Sequence, residues 1–167
     1  MATDSEAGPV TGAGQPATAN SVQALAARAA LALVAAAQAE VGIWGIAAPR
    51  SFYADFPGFG RHWVSPIGPY DEHLVRDYAS SELGFAILLL CAAIWFERRV
   101  VLIAGAAFLI GTLPHFAYHL TTTGDLPPLD NALSLVGFAL EMVLVAAAMA
   151  AVTRTSPASL AASDAAR

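Results

Sequence analysis

The chain has 167 residues, 57% hydrophobic and 13% charged, with a formal net charge of −5, and its mean hydropathy is +0.59. An ordinary soluble domain carries about 25% charged residues, so a soluble class is excluded. Every basic residue is arginine and no basic stripe exists, which excludes nucleic acid as a partner; the single Cys91 excludes a disulfide framework or a dithiol centre.

Met1 to about Asn20 is rich in Ala, Gly, Pro and Thr and reads as a disordered tail, without the basic start and apolar stretch of a cleaved signal peptide. Four apolar segments follow within a membrane domain over residues 21–152. The first is predicted over about Val22 to Ala48, with Asn20 or Ser21 as N-cap and Pro49 as the stop. The second runs from about Glu72 to Phe96 behind Asp71, the third from about Val100 to Leu120, and the fourth from about Asp130 to Val152 behind Pro127-Pro128. Each reaches the roughly 20 residues that cross a hydrocarbon core about 30 Å thick. Thr153 to Arg167 is again tail-like. The expected fold is therefore all-α, a four-transmembrane-helix bundle in lipid.

Arginine sets the expected orientation. Glu97-Arg98-Arg99 forms a short basic link between segments two and three, and short basic links stay in the cytoplasm. Both termini are then cytoplasmic, the protein is multi-pass in the plasma membrane, and the Pro49–Tyr70 and Thr121–Leu129 loops lie outside.

Three of the four segments carry a glutamate, Glu40, Glu82 and Glu141, and the third carries His115 and His119. An ionisable group inside a bilayer costs at least about 2.5–3.5 kcal/mol and marks a functional site by default. At about 1.5 Å per residue, Glu40 lies about 12 Å, Glu82 about 15 Å and Glu141 about 16 Å from the outer ends of their helices. His115 and His119, four apart, share one face. Ser134, Gly137, Glu141 and Ala148 trace an inward stripe on the fourth segment. His73, Asp77 and Ser81 form a separate stripe, about 140° from Glu82. The depths predict an upper layer of His73, Asp77 and His119 over a lower layer of Glu40, Glu82, His115 and Glu141.

Imidazole and carboxylate together suit zinc, iron, manganese or copper, and helical bundles build metal sites from such residues. The Glu-x-x-His spacing of soluble di-iron bundles is absent. A metal or redox-cofactor site around His115 and His119 is the leading expectation, serving a membrane oxidoreductase if the protein is an enzyme. Haem, with His73 or His119 as axial ligand, is a variant. Two other classes stay open: a proton-coupled carrier or small-ligand binding protein whose glutamates change protonation, and a structural subunit of a homo-oligomer or larger membrane complex.

The outer loop after Pro49 combines Phe52, Tyr53, Phe56, Trp63 and Tyr70 with Pro-Gly and Gly-Pro turns. It reads as an ordered lid over the bundle. Trp44 is expected as an interface anchor, and Pro114 as a kink beneath the histidines.

The stretches Phe52-Tyr-Ala-Asp-Phe-Pro-Gly-Phe-Gly-Arg-His-Trp-Val, Gly68-Pro-Tyr-Asp-Glu-His-Leu-Val-Arg-Asp and Pro114-His-Phe-Ala-Tyr-His-Leu resemble uncharacterised four-helix integral membrane proteins of actinobacteria. The resemblance spans roughly Trp44 to Asp130. It implies a four-helix fold and directs attention to His73, Arg76, Asp77, His115, His119 and Asp130, but it implies no substrate.

Overall fold

The computed structural model describes residues 17–154; of the tails expected over Met1–Asn20 and Thr153–Arg167, residues 1–16 and 155–167 lie outside them, and residues 17–20 and 153–154 are helical. Its helices are α1 (Ala17–Ala47), α2 (Pro49–Asp55), α3 (Glu72–Trp95), α4 (Arg98–Thr121) and α5 (Pro128–Arg154). Two short strands, β1 (Pro57–Gly58) and β2 (Arg61–His62), pair antiparallel in the loop after α2. Among the described residues, four stretches are long and apolar enough to cross a membrane: Ser21–Ala47, Glu72–Trp95, Arg98–Thr121 and Pro128–Arg154. A helix satisfies every backbone donor and acceptor internally, as lipid demands. The fold is a four-helix bundle with an ordered aromatic loop between its first two spans.

Helix boundaries follow local chemistry. Pro49 ends α1 and at once starts α2, where its missing N–H costs nothing at the first position. The Asp71 side chain accepts from the Leu74 amide at 3.1 Å, capping α3. Phe96 closes α3 in the left-handed region, φ 51°, and Glu97 is the N-cap of α4, so two residues link these helices. Pro114 lies inside α4, which continues through it.

In the bundle α1 packs on α3 and α5, and α4 packs on the same two helices. Glycine permits the α1–α3 approach. A Cβ on Gly42 would lie 2.8 Å from the Leu83 amide nitrogen and 2.9 Å from the Ala79 carbonyl oxygen, and one on Gly45 2.6 Å from the Ala79 Cβ. The largest fully buried side chains are Leu31, Val34, Leu89, Val101, Phe108 and Val145. They gather in the half of the bundle nearer the α3–α4 link. The buried polar residues Gln38, Glu82, Thr112, Asp130 and Ser134 occupy the other half, toward the two loops. One end is an apolar plug and the other a polar centre.

Candidate functional site

Gln38 from α1, Tyr78 and Glu82 from α3, Thr112 and His115 from α4, and Phe138 and Glu141 from α5 line one small space between the four spans, about 10 Å³ in volume. Helical spacing puts them there: Tyr78 and Glu82 are four apart, Thr112 and His115, like Phe138 and Glu141, three apart, so each pair shares a face. The Gln38 Nε2 donates to Glu141 Oε2 at 2.9 Å. Tyr78 and Glu82 are neighbours on the inner face of α3, and the Glu82 and Glu141 carboxyls lie close enough to interact electrostatically. Gln38 is 5% exposed and Glu82 8%. Two of the three span glutamates thus line a shared space with His115, Glu82 buried and Glu141 and His115 half-buried.

The histidines sit at one edge of it. His115 Nε2 and His119 Nε2 are 2.9 Å apart, with the rings 26° from parallel. His115 also packs on Tyr78 and Phe138. A 2.9 Å separation suits an N–H···N hydrogen bond. Two ligands about 2.05 Å from one metal would be that far apart only at a right angle, as in square-planar or octahedral coordination and not in tetrahedral zinc. His119 Nδ1 is buried without a partner. Among the described residues, no group of three or more His, Cys, Asp or Glu is gathered to hold a metal ion.

Other expected site residues lie elsewhere. Glu40 is exposed on α1 and lines no part of the centre. It is two residues from Gln38, about 200° around the helix, so the inward face that holds Gln38 turns Glu40 out. The expected upper layer does not form. His73 and Asp77 are exposed and pair with each other, Nε2 to Oδ2 at 3.4 Å. Arg76 donates to Glu72 at 3.0 Å and to the Ile46 carbonyl at 2.6 Å, tying α3 to the end of α1. Asp130 is buried and paired with Arg61 of the loop.

That pair fastens the lid. Phe52 and Phe56, one turn apart on and just after α2, pack at 4.9 Å, and Trp63 meets Phe56 edge-on at 6.1 Å. Trp44 joins them through Phe52 and Phe56 and donates from Nε1 to Ser51 Oγ at 3.2 Å. Phe59 and Gly60, both at positive φ, make the β1–β2 turn, and the Trp63 amide donates to the Phe56 carbonyl at 2.8 Å. Tyr53 packs on Tyr70 and donates to the Gly68 carbonyl at 2.6 Å. Tyr70 donates to Glu72 at 3.1 Å; desolvation first, then Glu72, holds its hydroxyl above the ordinary tyrosine pKa. From the second loop, the Asp125 amide donates to the Pro66 carbonyl at 3.1 Å. Gly124, at φ +55°, lies so close that a Cβ would come 2.9 Å from the Ile67 Cα.

Between lid and polar centre lies a chamber of about 110 Å³, lined by Gln38, Val41, Phe56, Trp63, Tyr78, Ser134, Gly137, Phe138 and Glu141. Gln38, Tyr78, Phe138 and Glu141 line both spaces. Trp63 Nε1 is buried and has no hydrogen-bond partner in the protein. Tyr78, Thr112 and Phe138 are site residues that pattern reading passes over. The signal for Tyr78 was present, a hydroxyl four residues before a glutamate inside an apolar helix. Phe138 and Thr112 carry no such mark. Compared with protein-family models, with curated proteins and with solved structures, the chain finds no match.

Proposed function

We propose that this membrane protein binds a small ligand in the chamber between its aromatic lid and its polar centre, with Glu82 and Glu141 as the groups that exchange protons when the ligand enters or leaves. The observation that carries this reading is Glu141. Its carboxyl is held by Gln38, faces Glu82 in the polar centre and lines the chamber as well. At roughly 30 Å³ per water-sized group, 110 Å³ holds about four non-hydrogen atoms. The chamber is on the loop side of the bundle; with Arg98 and Arg99 cytoplasmic, it opens toward the outer leaflet and both termini are inside.

Isothermal titration of the detergent-purified protein with 1-propanol, acetate and propylammonium tests the chamber with probes of one size and three charges. At least one should bind saturably at one per chain. Gly137→Leu should abolish it, because a Cβ at Gly137 meets nothing within 4 Å and a longer side chain has the chamber to fill. Binding of none of the three would overturn the reading.

The 2.9 Å separation of the histidine Nε2 atoms favours a second reading, a transition-metal ion such as iron or copper held by His115 and His119. With no third protein ligand gathered there, the remaining positions would go to water or to the small ligand itself. Metal analysis after equilibrium dialysis should then give one ion per chain, lost in His115→Ala and in His119→Ala. Absence of metal in the unsubstituted protein would end this reading and leave the chamber reading intact.

A further inference from the structure

We infer that two copies of this chain pair in the membrane through the outward face of α1, with the Glu40 carboxyls of the two copies meeting at its centre. Glu40 stands at mid-thickness of the bundle. Gly42, two residues or about 3 Å along α1, lies so close to α3 that a Cβ there would come 2.8 Å from the Leu83 amide nitrogen, and Leu83 is at the middle of α3, Glu72–Trp95. Glu40 is exposed, so at this depth its carboxyl faces lipid. Among the described residues that carboxyl makes no hydrogen bond or ion pair. Other polar side chains turned outward are satisfied on their own helix: Ser80 donates to the Arg76 carbonyl at 2.7 Å, Ser81 donates to the Asp77 carbonyl at 3.0 Å, and His73 pairs with Asp77. An ionisable side chain at the centre of a bilayer almost always faces protein and finds a partner there. Glu40 therefore needs cover from outside its own chain.

The rest of that face indicates what covers it. Ala29, Leu33, Ala36, Glu40, Ile43 and Ala47 are all exposed and alternate four and three residues apart, the 3.5-residue seam along which two helices pack in a left-handed crossing. Its alanines let two backbones approach closely. The matching seam of α5, Leu129, Leu133, Val136, Leu140 and Val143, is bulky and carries nothing polar, as suits contact with lipid; α4 likewise turns out Ile103, Ile110 and Leu113. The occupant is a second copy, because a two-fold axis along the membrane normal sets each seam residue against its own counterpart at the same depth. The single polar position then meets the single polar position. A carboxyl bearing its proton both donates and accepts, so two of them satisfy each other without a cation. None is at hand on α1 at this level: Arg28 lies over the Phe96 ring, at the far end of α3. The seam is on the side of α1 opposite Gln38, so pairing leaves the polar centre and the chamber untouched.

The test uses the purified full chain in phosphatidylcholine vesicles, in a Cys91→Ala background, with donor- and acceptor-labelled copies carrying Ser65→Cys. Energy transfer followed over a range of lipid dilutions should report a monomer–dimer equilibrium. Glu40→Ala should weaken the dimer about tenfold or more, and Glu40→Gln, whose amide also donates and accepts, should stay within about threefold of the unsubstituted chain. If Glu40→Ala does not fold, Ala36→Leu, whose added bulk points away from the bundle, should weaken the dimer about tenfold instead. Under mild oxidation in native membranes, Ala36→Cys in the same background should cross-link between chains, and Leu140→Cys on α5 should stay monomeric. Energy transfer absent at every dilution overturns the inference, as when lipid or a different protein covers Glu40. So does cross-linking at Leu140→Cys equal to that at Ala36→Cys, and so does a dimer that Glu40→Ala leaves as tight as before.

Discussion

Gln38 and Glu141, 103 residues apart, meet at 2.9 Å inside the bundle, the amide nitrogen donating to the carboxyl oxygen. This bond joins α1 to α5 at the boundary between the polar centre and the chamber. A carboxyl there needs a donor, because an unpaired one would keep its full desolvation cost in a site without bulk water. Gln38→Leu should therefore destabilise the protein by about 1–3 kcal/mol. Gln38→Leu combined with Glu141→Leu should recover most of that loss. Reversible unfolding in mixed micelles, read as a double-mutant cycle, would contradict the pairing if the two effects simply added.

The α1–α3 contact depends on missing side chains. Gly42→Ala should cost about 1–3 kcal/mol, since its Cβ would fall within 2.8 Å of the Leu83 backbone nitrogen and something must shift. Gly84→Ala, whose Cβ meets nothing within 4 Å, should be neutral or stabilise by up to about 1 kcal/mol. Equal losses at both positions would show that α1 and α3 do not approach as described.

The lid is latched by Arg61 and Asp130, a pair in which the aspartate side chain is 12% exposed and the arginine 37%. Arg61→Ala leaves the carboxyl without its charged partner and should cost about 2 kcal/mol, less than a fully buried pair because the arginine side meets solvent. Amide hydrogen exchange across residues 57–68 should speed up in that variant. The exchange of charges, Arg61→Asp with Asp130→Arg, should restore part of the protection. Unchanged exchange in Arg61→Ala would remove the latch from the description.

Orientation has its own test. In a Cys91→Ala background, a cysteine at Ser65 should react with an impermeant thiol reagent in intact cells, and one at Arg98 only after permeabilisation. Reversed labelling would place the chamber toward the cytoplasm.

Much of the fold is visible in the residues. The four spans announce themselves by length and apolarity, Asp71 and Pro49 by their capping and breaking chemistry, and the lid by Phe52, Tyr53, Phe56, Trp63 and Tyr70 among tight turns. Two of the three span glutamates do converge with His115, because depth and helical face agree for Glu82 and Glu141. Glu40 shows the limit of depth alone. It lies at a level similar to the others, but a rotation of two residues turns it to the outside and gives its place to Gln38, whose neutral side chain carries no charge to mark it in an apolar span. His73 and Asp77 look like site residues by charge and position, yet they satisfy each other on the surface. The short helix α2 and the participation of Trp44 in the lid depend on contacts between segments, which no local pattern encodes.

Cross-linking tests most directly whether the polar centre contains Gln38 and excludes Glu40. In a Cys91→Ala background, Gln38→Cys with Glu141→Cys should be bridged within one chain by a short bis-methanethiosulfonate reagent in native membranes, since the two long side chains meet at their tips, and Glu40→Cys with Glu141→Cys should not. Cross-linking of the Glu40 pair within one chain, with none for the Gln38 pair, would contradict the site.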